Sequence, residues 1–403
     1  FFWSTLSSVT LADKHTVIKW DDSVVYNADV MRWPGKFGRN NIGVLSWRHL
    51  LLLVLGWRVW LFIVQLIAFR KWGLLTPISH LLFNIWELWD GYWHTQIARF
   101  GYYAPILNVR FPLYPLLIRF TAPVFGGSQL GAALFISFGT FFLALLIFYR
   151  LAVRELRSKD AAMRSILLLL FFPTAFFFVA AYQESLFFLL TVASFYFFRR
   201  DKFWQAGILG GLAVLTRPQG LFLFPSFLLS KLLKRRRWEK QDWLFFLIPL
   251  ALLPWCLFLW QRFGDPFLFL RETPHWGQGP WQRVREFSSP LWVFSSYTWE
   301  VIGLLRQVLS QGLQLTPVIL VQLKEVGDFL CFLFFLFLGI RVVRSLDVSY
   351  SIYHFFSLVL MLSTGTLKGA PRFVLVLFPG FLVLAQILRN PKGFALFLWV
   401  SSM

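Results

Sequence analysis

Apolar residues run along this chain in blocks of near-membrane length, and the gaps between them change character from one to the next. The blocks His49–Phe69, Ser128–Tyr149, Ser165–Ala181, Leu186–Phe198, Trp243–Trp260, Asp328–Val343, Ser351–Leu362 and Phe373–Leu388 read as helices crossing or lying in a bilayer. A crossing needs roughly 20 mostly apolar residues. Arg58 interrupts the first block, which predicts one helix side facing protein or a cavity. Phe203–Leu229 is different, because "TRPQG" sits in its middle and both flanks, "RRDK" and "KLLKRRRWEK", are basic. Flanks on one side require the segment to turn back, with Pro218 and Gly220 supplying the break. Two shortened helices meeting at Thr216–Arg217 are predicted. Glu300, Arg306, Lys324 and Glu325 predict interfacial or short helices across 290–325. The resulting fold class is all-α: a polytopic membrane bundle whose extracytoplasmic loops carry interfacial helices.

Composition agrees with this pattern. Of 403 residues 58% are hydrophobic and 14% charged, against about 25% charged in a soluble domain. The net charge of +20 is gathered in short stretches such as "RLAVRELRSKDAAMR". That is the signature of cytoplasmic loops beside anionic headgroups, and not of a nucleic-acid partner. The loop 70–127 then lies on the opposite, extracytoplasmic side. Cys256 and Cys331 sit inside apolar runs without a CxxC partner and read as buried thiols. No N-x-[ST] sequon occurs, which favours a bacterial cell membrane over the endoplasmic reticulum membrane. Residues 1–30 show no sustained period and read as a non-native or disordered extension before Met31. Residues 31–403 read as one integral membrane domain whose closing "FALFLWVSSM" looks like an interrupted helix.

The chemistry concentrates in "ELWDGYWHTQIARFGYY", residues 87–103. At helical spacing Glu87, Asp90 and His94 share a face, and Trp86, Trp89, Trp93 and Ile97 form a broad apolar side. Two readings stay open. One is an interfacial helix with a solvated acid face. The other is a partly desolvated carboxylate, its pKa raised, acting as general base toward a hydroxyl. Arg217 at the helix break, with Lys368 and Arg372 in "KGAPRF", puts cations away from the basic loops, where a phosphate is one candidate partner and headgroups or an ion pair with Asp90, Glu184 or Asp265 are the alternative. No HExxH, Walker A or GxGxxG pattern is present, so neither a metal nor a nucleotide cofactor is expected. Outside the cytoplasm an activated sugar must arrive in the membrane, as a polyprenyl-phosphate sugar does.

"WDGYWHTQIARFGY" followed by "FPLYPLLIR", then "AYQESLFFLL", "AGILGGLAVLTRPQG", "RFGDPFLF" with a later "HWG", and "APRFVLVLFP" resemble the PIG-V-type mannosyltransferases in that order. The resemblance spans about Arg48 to Leu398. It implies a GT-C-class multi-pass fold with a catalytic aspartate in the first extracytoplasmic loop, here Asp90. It also implies a polyprenyl-phosphate mannose donor, a lipid- or glycan-linked hydroxyl acceptor, and inversion at the anomeric carbon. Trp89, His94, Arg110, Tyr114, Glu184, Arg217, Lys368 and Arg372 are the candidate substrate-binding residues. The chain departs from the family pattern at His94, usually tyrosine, at Gln183, where "YSES" is usual, and at Arg110, usually phenylalanine. These departures bear on acceptor and sugar more than on reaction class. The eukaryotic enzyme of this type works with a partner subunit. The alternative reading is a transporter or flippase of polyprenyl-linked glycans.

Overall fold

A computed structural model of the protein describes residues 46–71, 84–234, 240–273, 288–311 and 316–402. The extension 1–30, Met31 and the "HWG" motif lie outside the described residues. Among these residues all regular structure is helical. The longer helices are α1 (Trp47–Lys71), α2 (Asp90–Phe100), α3 (Leu113–Thr121), α4 (Gln129–Leu156), α5 (Lys159–Leu170), α6 (Glu184–Phe198), α7 (Phe203–Val214), α8 (Leu223–Leu233), α9 (Leu252–Phe263), α10 (Pro290–Gln311), α11 (Pro317–Ser345), α12 (Val348–Ser363), α13 (Phe378–Ile387) and α14 (Pro391–Ser402).

Four helical segments are long and apolar enough to cross a membrane: Trp47–Arg70, Gln129–Leu156, Lys240–Phe263 and Val318–Ser345. A fifth, Ala370–Val376 with Phe378–Ile387, is bent by 86°. The protein is therefore a multi-pass membrane protein. Helix α4 packs along α6, α6 along α7, and α13 against α5 and α11. Their contact faces are filled by Phe141, Phe148, Phe178, Phe188 and Phe378, all fully buried.

Local chemistry sets several boundaries. Ser128 and Ser158 cap α4 and α5 by accepting from the backbone N–H of Gly131 and Ala161. Between these helices Arg157 takes a left-handed conformation, φ 52°. The basic stretch expected as a loop is thus helical up to Leu156 and again from Lys159. The predicted crossing Ser165–Ala181 is corrected too. Helix α5 ends at Leu170, and a single 3-10 segment, Ala175–Val179, carries the chain on to α6. Where interfacial or short helices were expected, residues 290–311 form the whole of α10, which is not among the segments apolar enough to cross, and 317–325 form the first part of the long helix α11. There Lys324 donates to Asp328 at 2.7 Å, one helical turn on. An i,i+4 pair of this kind lets a long helix carry charge. Arg58 stacks its guanidinium on the Trp86 ring at 3.7 Å, the protein contact expected from its place in an apolar run.

The turned-back segment forms as predicted: α7, a 3-10 turn Pro218–Phe222, then α8. Gly220 allows it, because a Cβ there would lie 2.4 Å from Val214 N and 2.6 Å from Ala213 C. Both are backbone atoms and cannot swing aside. We expect Gly220→Ala to lower the melting temperature in detergent by several degrees and to displace Arg217 and Gln219. A thermal-shift comparison with the neighbouring Leu221→Ala checks this.

Two ion networks occupy different parts of the bundle. In one, among the basic segments, Asp347 accepts from Arg199 at 2.6 Å, from Ser230 at 3.0 Å and from Lys234. Arg199 also donates to Glu155 at 2.8 Å. The other contains Asp90.

Candidate active site

Asp90 is the first residue of α2, and the chain reaches it through a strained joint. Trp89 has φ 50° and ψ −115°, a left-handed setting that costs a bulky residue. Gly91 follows. A Cβ on it would sit 3.3 Å from Ala181 O and 3.3 Å from Tyr182 Cε2, so glycine lets α2 press against the entry to α6. Two hydrogen bonds close that contact: Ala181 N to Trp86 O at 2.9 Å, and Tyr182 Oη to Leu88 O at 2.7 Å. This juxtaposition brings "WDG" to "YQES", so that Asp90 and Glu184 share the ligand Arg372.

The network is continuous. Arg110 donates to Asp90 at 2.6 Å. Arg372 donates through Nη1 to the other carboxylate oxygen of Asp90 at 2.5 Å and through Nε to Glu184. Arg217 donates to the same Glu184 oxygen at 3.3 Å. Aromatic faces flank the guanidiniums: Tyr182 lies 4.5 Å from Arg372, and Phe373 lies 5.2 Å from Arg217. Arg110 is positioned by its own backbone, whose carbonyl accepts from Tyr102 Oη at 2.9 Å. Leu113 N–H donates to Leu215 O at 2.9 Å, tying "FPLYP" to the turned-back segment and so Arg110 to Arg217.

Asp90, Arg110, Arg217 and Arg372 all line one cavity of about 210 Å³, together with His94 and Gln219. The Asp90 side chain is 22% exposed, whereas Glu184 is fully buried. Three cations and two carboxylates leave a net positive wall. An anion entering the cavity finds donors already oriented.

Of the residues singled out from sequence, His94 also faces this cavity and Glu184 stands behind its wall. Three do not line it. Trp89 is 71% exposed. Tyr114 is buried, shares a hydrogen bond with Ser137 at 2.8 Å and meets the His94 ring edge-on. Lys368 lies just outside, where its own N–H donates to Thr366 Oγ1 at 3.1 Å. Glu87 belongs to a separate 3-10 turn and accepts from Thr95, so the solvated acid face is not formed. Gln219 was not anticipated; its signal was a polar residue inside the break "TRPQG". Among the described residues no three His, Cys, Asp or Glu side chains gather as metal ligands.

The electrostatics of Asp90 run opposite to the sequence expectation. Burial does push its carboxyl up, but Arg372 and Arg110 outweigh that and hold it well below the ordinary carboxylate range. His94 is held down to about 3, first by burial and then by the Arg110 charge. An unfolded histidine titrates near 6.5. Between these values the unfolded chain binds a proton that the folded one refuses. His94 therefore removes stability as pH falls below about 6.5, by about 2 kcal/mol at pH 5. We expect His94→Asn to flatten the acid side of the melting temperature's pH dependence between pH 7 and 5. Differential scanning fluorimetry in detergent reads this directly.

Residues 74–236 match the family model described as mannosyltransferase (PIG-V). The matched segment covers about two fifths of the chain. It holds Asp90, Arg110, Glu184 and Arg217, whereas Arg372 comes from outside it. Among solved structures, the crystal structure of ArnT from Cupriavidus metallidurans bound to undecaprenyl phosphate is similar to 72% of this chain, at 17% identity and a TM-score of 0.44. The chain spans about half, 52%, of the length of that protein. No curated protein matches the chain.

Proposed function

We propose that this PIG-V-type protein is a membrane glycosyltransferase that moves a sugar, mannose by family resemblance, from a polyprenyl-phosphate donor to a hydroxyl acceptor on a lipid or glycan. One observation carries the reading: a carboxylate and three guanidiniums around a single cavity. The arginines suit a lipid phosphate and the carboxylate suits a hydroxyl proton. The acceptor oxygen attacks the anomeric carbon from the face opposite the phosphate, and Asp90 takes its proton. The bond from the anomeric carbon to the phosphate oxygen breaks, and its electron pair leaves with the phosphate. Arg110, Arg217 and Arg372 stabilise the charge that gathers there. Attack opposite the leaving group inverts the anomeric centre. The reading needs no metal or cofactor, because guanidiniums neutralise one phosphate.

At rest Asp90 is engaged by two arginines and is a weak base. A donor phosphate competes for the same guanidiniums, so donor binding loosens their hold and raises the basicity of Asp90. The donor thus prepares the base for the acceptor. A bacterial cell membrane fits the lack of sequons, with catalysis on the face opposite the basic loops. The transporter reading draws less support, because α6, which links the two ion networks, carries no charged residue between Glu184 and Arg199.

The test is transfer from polyprenyl-phosphate [³H]mannose in membranes expressing the protein, with the product's anomeric configuration read by linkage-specific mannosidases. Use of a nucleotide sugar in place of the lipid donor would overturn the reading.

A further inference from the structure

Three polar groups facing the cavity take no part in the ion network. Gln183 Oε1, Gln219 Oε1 and His94 Nδ1 are buried without a hydrogen-bond partner among the described residues, and all three residues line the cavity. His94 is 1% and Gln219 3% exposed. Buried polar atoms are nearly always satisfied, so three orphans lining one cavity call for a ligand. Each comes from a helix terminus or break. Gln219 follows Pro218 in the turn after α7, Gln183 directly precedes α6, and His94 lies one turn into α2. Each is also close in sequence to a member of the charged network: Arg217, Glu184 and Asp90 respectively. The orphans and the arginines therefore border one space.

We infer that Gln183, Gln219 and His94 form the sugar subsite, hydrogen-bonding the hydroxyls of an uncharged hexosyl ring carried on the lipid phosphate. This rests on the reading that the arginines hold that phosphate. Charge selects the class of ring. Both carboxylates are already shared, Asp90 between Arg110 and Arg372, and Glu184 between Arg217 and Arg372. A cationic aminosugar would meet three guanidiniums against two carboxylates, a net repulsive wall. A uronic acid would compete with the phosphate for the same arginines. Glutamine carbonyls accept from hydroxyls without adding charge, and a neutral imidazole offers one acceptor and one donor nitrogen.

The experiment measures binding by tryptophan fluorescence on the full chain in nanodiscs, with citronellyl phosphate, citronellyl-phosphoryl mannose and citronellyl-phosphoryl glucosamine. Wild type should bind the mannosyl compound about tenfold more tightly than bare citronellyl phosphate, the size of one good buried hydrogen bond. The glucosamine compound should lose that margin. Gln219→Leu should reduce the mannosyl margin to threefold or less while leaving the Kd for citronellyl phosphate unchanged. Gln183→Leu gives an independent reading should the first variant fold poorly. Equal binding of the mannosyl and bare compounds by wild type, or a full margin in both leucine variants, would overturn the subsite. Failure of all three compounds to bind would instead remove the phosphate reading, and the subsite with it.

Discussion

Asp90→Asn is expected to cut turnover by about 10²- to 10⁴-fold, the usual range for a positioned base, while donor binding stays the same or tightens. The two effects separate because Asp90 plays two parts at once. Its carboxylate accepts hydrogen bonds from Arg110 and Arg372 on different oxygens. An asparagine cannot take the acceptor's proton, so the chemical step fails. It also lacks the charge that competes with the donor phosphate for those guanidiniums, so the arginines are freer to bind it. A purely structural Asp90 would lower both quantities together through misfolding. Glutamate at this position keeps the base but lengthens it, and should retain donor affinity with turnover between the two. The pH profile adds a check. The free carboxyl is held far below its ordinary range by Arg372 and Arg110, and the base must be ionised to work. Wild-type kcat/KM should therefore show no acid limb from Asp90 between pH 5 and 8. Single-turnover transfer across that range, with donor binding measured in parallel, checks both statements.

How much of this was legible in the chain depended on distance along it. The position of Asp90 was readable, because an acid within an aromatic-rich stretch of a greasy chain needs a reason to be there. The turned-back segment was readable for the same kind of reason: basic flanks on both sides, with Pro218 and Gly220 between them, left one geometry. Partnership was readable only as an open alternative, without saying which cation meets which acid. Arg110 lies 20 residues from Asp90 and Arg372 lies 282 residues away, and helical periodicity carries no information across such gaps. That is why the carboxyl's shift was expected with the wrong sign. Burial was foreseen and raises it, but the two guanidiniums that reverse the effect come from distant segments. The length of α10 and the start of α11 were missed because Glu300, Arg306, Lys324 and Glu325 read as marks of interfacial or short helices. All four lie on partly or fully exposed helix positions, and Lys324 finds Asp328 one turn on. Trp89 and Tyr114 were singled out by motif alone, and motif membership does not say whether a side chain faces the cavity or supports it. Tyr114 supports His94 from behind, while Trp89 contributes its backbone turn.

Arg372→Ala is expected to damage the protein in two separable ways. Arg372 is the only residue among those described that donates to both Asp90 and Glu184. Removing it leaves Glu184, fully buried, with Arg217 at 3.3 Å as its remaining charged partner. Breaking a buried pair by deleting one member typically costs about 3–5 kcal/mol, because the charge left behind has lost its water without a full replacement. A drop of several degrees in melting temperature should follow. Donor use should fall as well, as a KM raised by roughly one to two orders of magnitude for the loss of one charge-assisted contact to phosphate. Arg372→Lys should restore little of either, since one ammonium cannot present the separate Nε and Nη1 donors that reach the two carboxylates. The double variant Arg372→Ala/Glu184→Gln distinguishes the causes. Neutralising Glu184 removes the stranded charge, so the melting temperature should recover in part. The donor KM should stay high, because the phosphate contact is still missing. Recovery of both in the double variant would mean that Arg372 serves only to neutralise Glu184. Recovery of neither would mean that its stabilising contacts lie elsewhere, with the stacked rings of Tyr182 and Phe177 as the nearest.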